Sequence, residues 1–305
     1  MKWIKILNSI NRKPDFLIIG VQKSATTWLH ERLRKHPDVY MPCNELHYFD
    51  KNDNFKKGDQ WYLKNFKHAL RHQIIGEKTP DYIWTNCDGT PGLSENKHKR
   101  IHSFSPNIKM IVILRNPIER IVSAVHHNMR LGRIPARMTI DELMKSEAHE
   151  VIVDRMLKRG LYSKQLRAYY EIFEKSQIQV LFHDDIKLNP DHVLKRVQGF
   201  LGIDELPASD DNAKRYNEFN ATELGALLIG MSSGALNSMF LKLDRYLLSH
   251  LPFSKISYPV LGDFAESQLI DYYAHDLEEL PDLICQDLPV AWTSSSSLGQ
   301  WGSLA

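Results

Sequence analysis

Cysteine is scarce in this 305-residue chain: Cys43, Cys87 and Cys285 are widely separated and odd in number. They form no CxxC pair, and no histidine cluster accompanies them at zinc spacing, which argues against a disulfide framework and a zinc site. Idle thiols in a reducing compartment are the expectation. An excess of one charge is also missing. Lys and Arg number 39 against 37 Asp and Glu, a formal charge of +2. No global field for a polyanion follows, so nucleic acid is not an expected partner, although a local basic cluster can still hold a small anion. Long apolar runs are absent too. The opening MKWIKILNSINRKP is too broken for a signal peptide or a membrane span, and the expected address is the cytoplasm. Neither a repeat nor a Gly/Pro/Ser-rich linker divides the chain. One domain is expected over 1–305, with its core at about 14–292 and a small, polar, disordered tail at 294–305.

What is present is ordinary globular material, 43% hydrophobic and 25% charged, enough for a core of several layers. Short apolar runs recur between helical patterns. Asp15 to Gly20 reads as a strand buried on both faces, followed by the apolar runs Ile74–Gly76 and, stronger, Lys109 to Leu114, and by a fourth strand, Ile178 to Phe182. Helices are expected from Trp28 to Lys35, from about Ile118 to Leu131 behind an Asn116 cap and Pro117, from near Pro190, and from Gly262 to about Gln286. Strands alternating with helices predict an α/β fold with a mainly parallel sheet, entered by a P-loop-like strand–loop–helix and followed by a helical C-terminal part.

Two strand ends combine basic and hydroxyl residues, and ligands of open α/β sheets sit beyond such ends. The first is Gly20-Val21-Gln22-Lys23-Ser24-Ala25-Thr26-Thr27-Trp28-Leu29. Backbone N–H groups at a helix start, hydroxyls and one lysine make a nest for a phosphate. It lacks the Gly-Lys-Ser/Thr ending of a Walker A loop, since Lys23 precedes the hydroxyls. The second runs from Leu114-Arg115-Asn116-Pro117 to Arg120 and Ser123. Arg115 can take a phosphate through two donors, and Ser123, about two helical turns on, faces roughly the same side. Arg120 reads equally as an exposed helix arginine paired with a nearby Glu.

Taken together, these loops resemble the PAPS-dependent sulfotransferase family, which uses 3′-phosphoadenosine-5′-phosphosulfate. Further resemblance lies in Arg159 to Leu166, in Gln177 to Phe182 and in Ser257-Tyr258-Pro259 with the helix behind it. The match covers roughly residues 14 to 292 and is nearest the branch of heparan sulfate N- and O-sulfotransferases and their bacterial relatives. The resemblance implies that Gln22, Lys23, Ser24, Ala25, Thr26, Thr27 and Trp28 bind the 5′-phosphosulfate. Arg115, Ser123 and Tyr162 are implied on the rest of the nucleotide. Two departures stand out. The family usually has glycine at Ala25, and alanine is expected to fit only with a negative φ. Near Ser254-Lys255-Ile256 the glycosaminoglycan enzymes carry a Gly-Arg loop, which Ile256 does not reproduce.

Sulfuryl transfer needs a cation where the leaving phosphate gains charge and a group that takes the acceptor's proton. Lys23 sits in the loop that would meet that charge. Asn44-Glu45-Leu46-His47-Tyr48-Phe49 offers two bases, and in an extended segment Glu45 and His47 would face one side. By resemblance Glu45 is the catalytic glutamate and Lys78 a second active-site lysine, so Glu45 is preferred to His47. The acceptor, a glycan or small metabolite with a hydroxyl or amine, is not specified, and neither is the oligomeric state. His126, His127, Arg130, Arg133 and Arg137 could greet an anionic acceptor or form a solvated face. No metal motif is expected. The rival readings are a P-loop kinase, which needs an acid where the second strand ends in Arg115, and a non-catalytic nucleotide-binding protein.

Overall fold

A computed structural model describes residues 12–85, 92–205, 222–231, 239–240, 243–244 and 256–293. Its framework is a five-stranded sheet: β1 (Phe16–Gly20), β2 (Val39–Tyr40), β3 (Ile74–Lys78), β4 (Lys109–Leu114) and β5 (Ile178–Phe182). The order is β2-β3-β1-β4-β5, and every pairing is parallel. Parallel strands require crossovers, which cover both faces of the sheet and explain why β1 and nearly all of β4 are buried along their length. Phe16, Ile18, Ile111, Ile113 and Leu181 of the sheet pack with Trp28, Leu29 and Leu33 and with Val193, Val197 and Leu201. Each such side chain contributes roughly 1.5–3 kcal/mol by leaving water.

Differences from the expected elements have local causes. The helix after β1 spans Thr26–Arg34, beginning two residues early because the loop closes sooner. β3 continues past Gly76 to Lys78, so a strand that ends in two charged residues still pairs Lys78 with Ile18. β2 is only two residues long and carries no periodic signal. Asn116 caps Pro117–Arg130 as expected, its side chain accepting from the N–H groups of Ile118 (2.9 Å) and Glu119 (3.3 Å). A short helix, His183–Leu188, intervenes before Pro190–Leu201, and the long late helix is Asp263–Ile284.

The chain forms two compact units. Residues 1–115, 161–216 and 276–289 make one, which holds the whole sheet. Residues 116–160, 217–275 and 290–305 make the other, and its described elements are helical. In this second unit Arg120 is fully buried rather than exposed, and its Nη2 donates to the Met156 carbonyl. Burial there follows from the helix face it occupies, one turn before Ala124, which is in the core. Tyr273 donates to the Leu157 carbonyl (2.8 Å), and Asp141 accepts the N–H groups of Gly262 and Ala265 (3.1 Å each). Cys87, Ser254, Lys255 and the tail expected at 294–305 lie outside the described residues, whereas Ile256 is buried.

Candidate active site

β1 lies between β3 and β4, so the chain segments leaving these three strands are neighbours. Thr79 N–H donates to the Ile18 carbonyl (3.1 Å), Ile83 N–H to that of Ile19 (2.9 Å), and Val21 N–H to that of Ile113 (3.0 Å). Gly20 permits this closeness, since a Cβ there would stand 2.4 Å from Ile83 Cγ2.

After Gly20 the chain turns sharply. Lys23 has φ 73° and Ala25 φ 65°, on either side of buried Ser24, whose N–H returns to the Val21 carbonyl (3.2 Å). The negative φ expected at Ala25 is therefore overturned. Its left-handed backbone, which costs an L-residue roughly 1–2 kcal/mol, is what reverses the chain into the helix. Ala25 occupies the cap position of Thr26–Arg34 and brings no capping side chain. The first-turn N–H groups thus have no partner from the cap, and such groups favour an anion. Thr26 and Trp28 are buried, while Gln22, Lys23 and Thr27 are half-buried around them.

Arg115 leaves β4 toward this loop, its Nη1 donating to the Lys23 carbonyl (3.1 Å). Its own carbonyl accepts from buried Tyr162 (2.6 Å). Tyr162 opens the helix Tyr162–Tyr170, whose start is held by Asp276 through the N–H groups of Ser163 (3.1 Å) and Lys164 (3.3 Å). His183, just past β5, was not foreseen. Burial, then the positive charge of Arg115 and Lys187, pushes its pKa far down and keeps it neutral. Lys23, Arg115 and Tyr162 are thus brought together. Ser123 lies half-buried in the second turn of Pro117–Arg130, in the second unit. In that unit too, His126 is buried with its ring 4.3 Å from that of Tyr258, while Arg133 and Arg137 are exposed.

The acceptor-side residues also converge. Glu45 binds Lys78 Nζ through one oxygen (2.8 Å) and His47 Nε2 through the other (3.5 Å), and His47 Nδ1 meets Asp50 at 2.8 Å. Asp50 is fully buried. The segment is not extended, because His47 has φ 49°; a turn rather than alternation joins the two side chains. Burial raises the Glu45 pKa, but the His47 hydrogen bond and the Lys78 charge outweigh it, and the net shift is downward. Burial likewise lowers that of His47, but Asp50 and Glu45 raise it to about 9. With a carboxylate on each ring nitrogen, His47 is an imidazolium at neutral pH and has no lone pair to serve as a base. Ligand atoms of His47, Asp50 and Asp81 lie within 4.8 Å of one another, but the His47–Asp50 hydrogen bond already occupies Nδ1.

This geometry defines a P-loop-like α/β protein with an anion nest after its central strand and a supported carboxylate beside it. The sulfotransferase domain family matches residues 13–222, and the chain belongs to that family. Among curated relatives, mouse heparan sulfate glucosamine 3-O-sulfotransferase 3B1 is 32% identical over 193 residues, 62% of this chain and 46% of the relative. Human heparan sulfate glucosamine 3-O-sulfotransferase 6 is 30% identical over 214 residues, 70% and 57% of the two chains. The chain spans about half the length of the curated relatives it matches. A solved sulfotransferase from Alicyclobacillus acidocaldarius aligns with TM-score 0.65 over 93% of this chain and 100% of that one, at 21% identity. That likeness shows the fold. Among the described residues no helix is long and apolar enough to cross a membrane.

Proposed function

We propose that this chain transfers the sulfuryl group of PAPS to a hydroxyl of a glycan acceptor and releases 3′-phosphoadenosine 5′-phosphate (PAP). The observation that carries the reading is the Lys78–Glu45–His47–Asp50 array, in a member of a sulfotransferase family that also keeps the Lys23 nest and Arg115. The nest takes the 5′-phosphosulfate and Arg115 the 3′-phosphate. Tyr162 serves by keeping Arg115 in place. The hydroxyl class follows the names of the curated relatives, which are glucosamine 3-O-sulfotransferases. An amine or a small metabolite is an outcome of the test. The match over 13–222 runs through segments of both units, which supports reading them as one sulfotransferase domain. Exposed free Cys43 and Cys285 suit a reducing, cytoplasmic setting.

In-line transfer leaves the protein little covalent work, so catalysis rests on position and charge. Lys23 supplies positive charge where the leaving phosphate becomes more negative. Glu45, ionised throughout neutral pH, accepts the acceptor's proton as the new O–S bond forms and that proton becomes acidic. His47 holds the carboxylate in place as a cation, and Lys78 fixes its other oxygen. The test is incubation with PAPS and N-sulfated heparan oligosaccharides, read by mass spectrometry for a gained sulfuryl group, alongside the thermal midpoint with PAP or ATP. PAP should stabilise far more than ATP, because only PAP carries the 3′-phosphate. Equal shifts would favour a kinase.

A further inference from the structure

The segment carrying Glu45 and His47 belongs to no helix or strand, yet three consecutive N–H groups in it have side-chain partners. Leu46 N–H donates to Glu77 Oε1 (3.4 Å), His47 N–H to Thr79 Oγ1 (3.3 Å) and Tyr48 N–H to the Tyr82 hydroxyl (3.0 Å). On its other side, Asn54 Nδ2 donates to the carbonyls of Leu46 (3.2 Å) and His47 (3.1 Å). All three acceptors come from Glu77-Lys78-Thr79-Pro80-Asp81-Tyr82, where β3 ends, and Lys78, the last residue of β3, holds the Glu45 carboxylate.

At the centre of this arrangement is Glu77, which is 0% exposed. Thr79 donates its hydroxyl to Glu77 Oε1 (2.5 Å) and Tyr62 donates to Oε2 (3.1 Å). An ionised carboxylate only accepts, so it draws the hydroxyl hydrogen of Thr79 toward itself. The lone pairs of that hydroxyl are then left for His47 N–H, while the carboxylate takes Leu46 N–H directly. A protonated Glu77 must donate to one of its neighbours, which reverses that hydroxyl, and it accepts more weakly from Leu46.

We propose that Glu77 is a positioning residue for the acceptor-side base, its ionised carboxylate orienting Thr79 and accepting from Leu46 N–H so that residues 45–48 hold Glu45 in its working place. This inference rests on the reading of Glu45 as the base. Burial raises the Glu77 pKa to about 7 despite the bonds from Thr79, Leu46 and Tyr62. The titratable and charged groups around it are Tyr62 from the helix Asp59–Leu63, Tyr82 from the turn, Lys78 from β3, and Tyr48, His47 and Asp50 from the segment itself. Tyr62 and Tyr82 have pKa values well above the ordinary range, first through burial and then through Glu77, so they remain neutral.

The sign of this coupling separates positioning from a structural role. A raised carboxyl pKa contributes stability that is fully present below the ordinary carboxylate range and is lost as pH rises through about 7. Activity requires the opposite state. Acidification from pH 8 to pH 6 should therefore leave the thermal midpoint level or higher while turnover falls about tenfold, following the ionised fraction of a group of pKa about 7.

The experiment measures turnover with PAPS and an N-sulfated heparan oligosaccharide at both pH values. In parallel it follows hydrogen exchange of the peptide spanning 44–50, corrected for the intrinsic pH dependence of exchange. Wild type should lose protection at pH 6 in step with activity. Glu77→Gln should sit near the wild-type pH 6 level at both pH values, with the PAP-induced thermal shift retained. Tyr82→Phe, which removes the acceptor for Tyr48 N–H but leaves the titrating carboxyl, should lower turnover and keep the acid limb. Wild-type protection that is level between pH 6 and 8, or an acid limb surviving in Glu77→Gln, overturns the proposal. If exchange follows pH as expected but no sulfuryl group reaches the oligosaccharide, the positioning stands and the functional reading is what fails.

Discussion

The donor loop and the acceptor-side segment lie in the same unit, one behind β1 and the other positioned from the end of β3, yet they are made in different ways. From Gly20 to Trp28 the chain builds its cradle from backbone: positive φ at Lys23 and Ala25 and a helix start without a capping side chain. From Asn44 to Asp50 the backbone is irregular and its donors are consumed by side chains from a distant stretch of sequence. A backbone nest tolerates changes of side chain around it, whereas a segment held by side chains depends on each of them. Removing single groups on the two sides should therefore have different signatures.

The largest effect is expected at Lys23. Lys23→Ala should lower kcat by a factor on the order of 10²–10³, because its attraction strengthens as the leaving phosphate gains charge, and should weaken PAPS binding less. Single-turnover rates measured against PAP affinity separate the two. Next comes Glu45→Gln, with PAP binding nearly intact and a loss of roughly 10²-fold in turnover. His47→Asn serves as its partner measurement and should lose less. A dead His47→Asn beside an active Glu45→Gln would make the histidine the base.

Arg115→Ala should weaken PAP by about 1.5–3 kcal/mol, the scale of a charge-assisted phosphate bond, and should barely affect a nucleotide lacking the 3′-phosphate. Calorimetry with both ligands checks this, and equal losses would remove Arg115 from the 3′-phosphate. The His47 pKa of about 9 gives a milder effect on the basic side. The stability it adds is fully present below its ordinary value and is lost as pH rises through about 9, so the thermal midpoint of wild type should fall there more than that of His47→Asn. Smallest is Ala25→Gly. It relieves the left-handed alanine but frees the unfolded chain, so stability should change by no more than about 1 kcal/mol and PAP binding should persist. A large loss would mean that the Ala25 methyl, which packs on the core, matters more than the strain.

Much of the donor side was legible because it is local. Phe16-Leu17-Ile18-Ile19 and Lys109 to Leu114 declare buried parallel strands, and Asn116-Pro117 declares a helix start, each within a few residues. What failed there was conformational: nothing in an alanine signals positive φ. On the acceptor side the residues Glu45, His47 and Lys78 could be picked out by type and by family likeness, but the work of Asp50, Glu77, Thr79 and Tyr82 could not. Asp50 follows His47 by three residues, a spacing that could have raised the pair. Glu77 reads as one more surface glutamate until β3 is seen to carry it inside.

Local pattern and chemistry in the sequence were sufficient to determine the α/β class, the strand–loop–helix start and the family of this protein. Only the tertiary structure decided how its carboxylates are used. Glu45 is held by two cations, Asp50 is buried against His47, and Glu77 is enclosed by hydroxyl donors. The physical reason is that the charge and hydrogen-bonding role of such a group depend on burial and on its neighbours in space, and those neighbours come from parts of the chain that the sequence keeps apart.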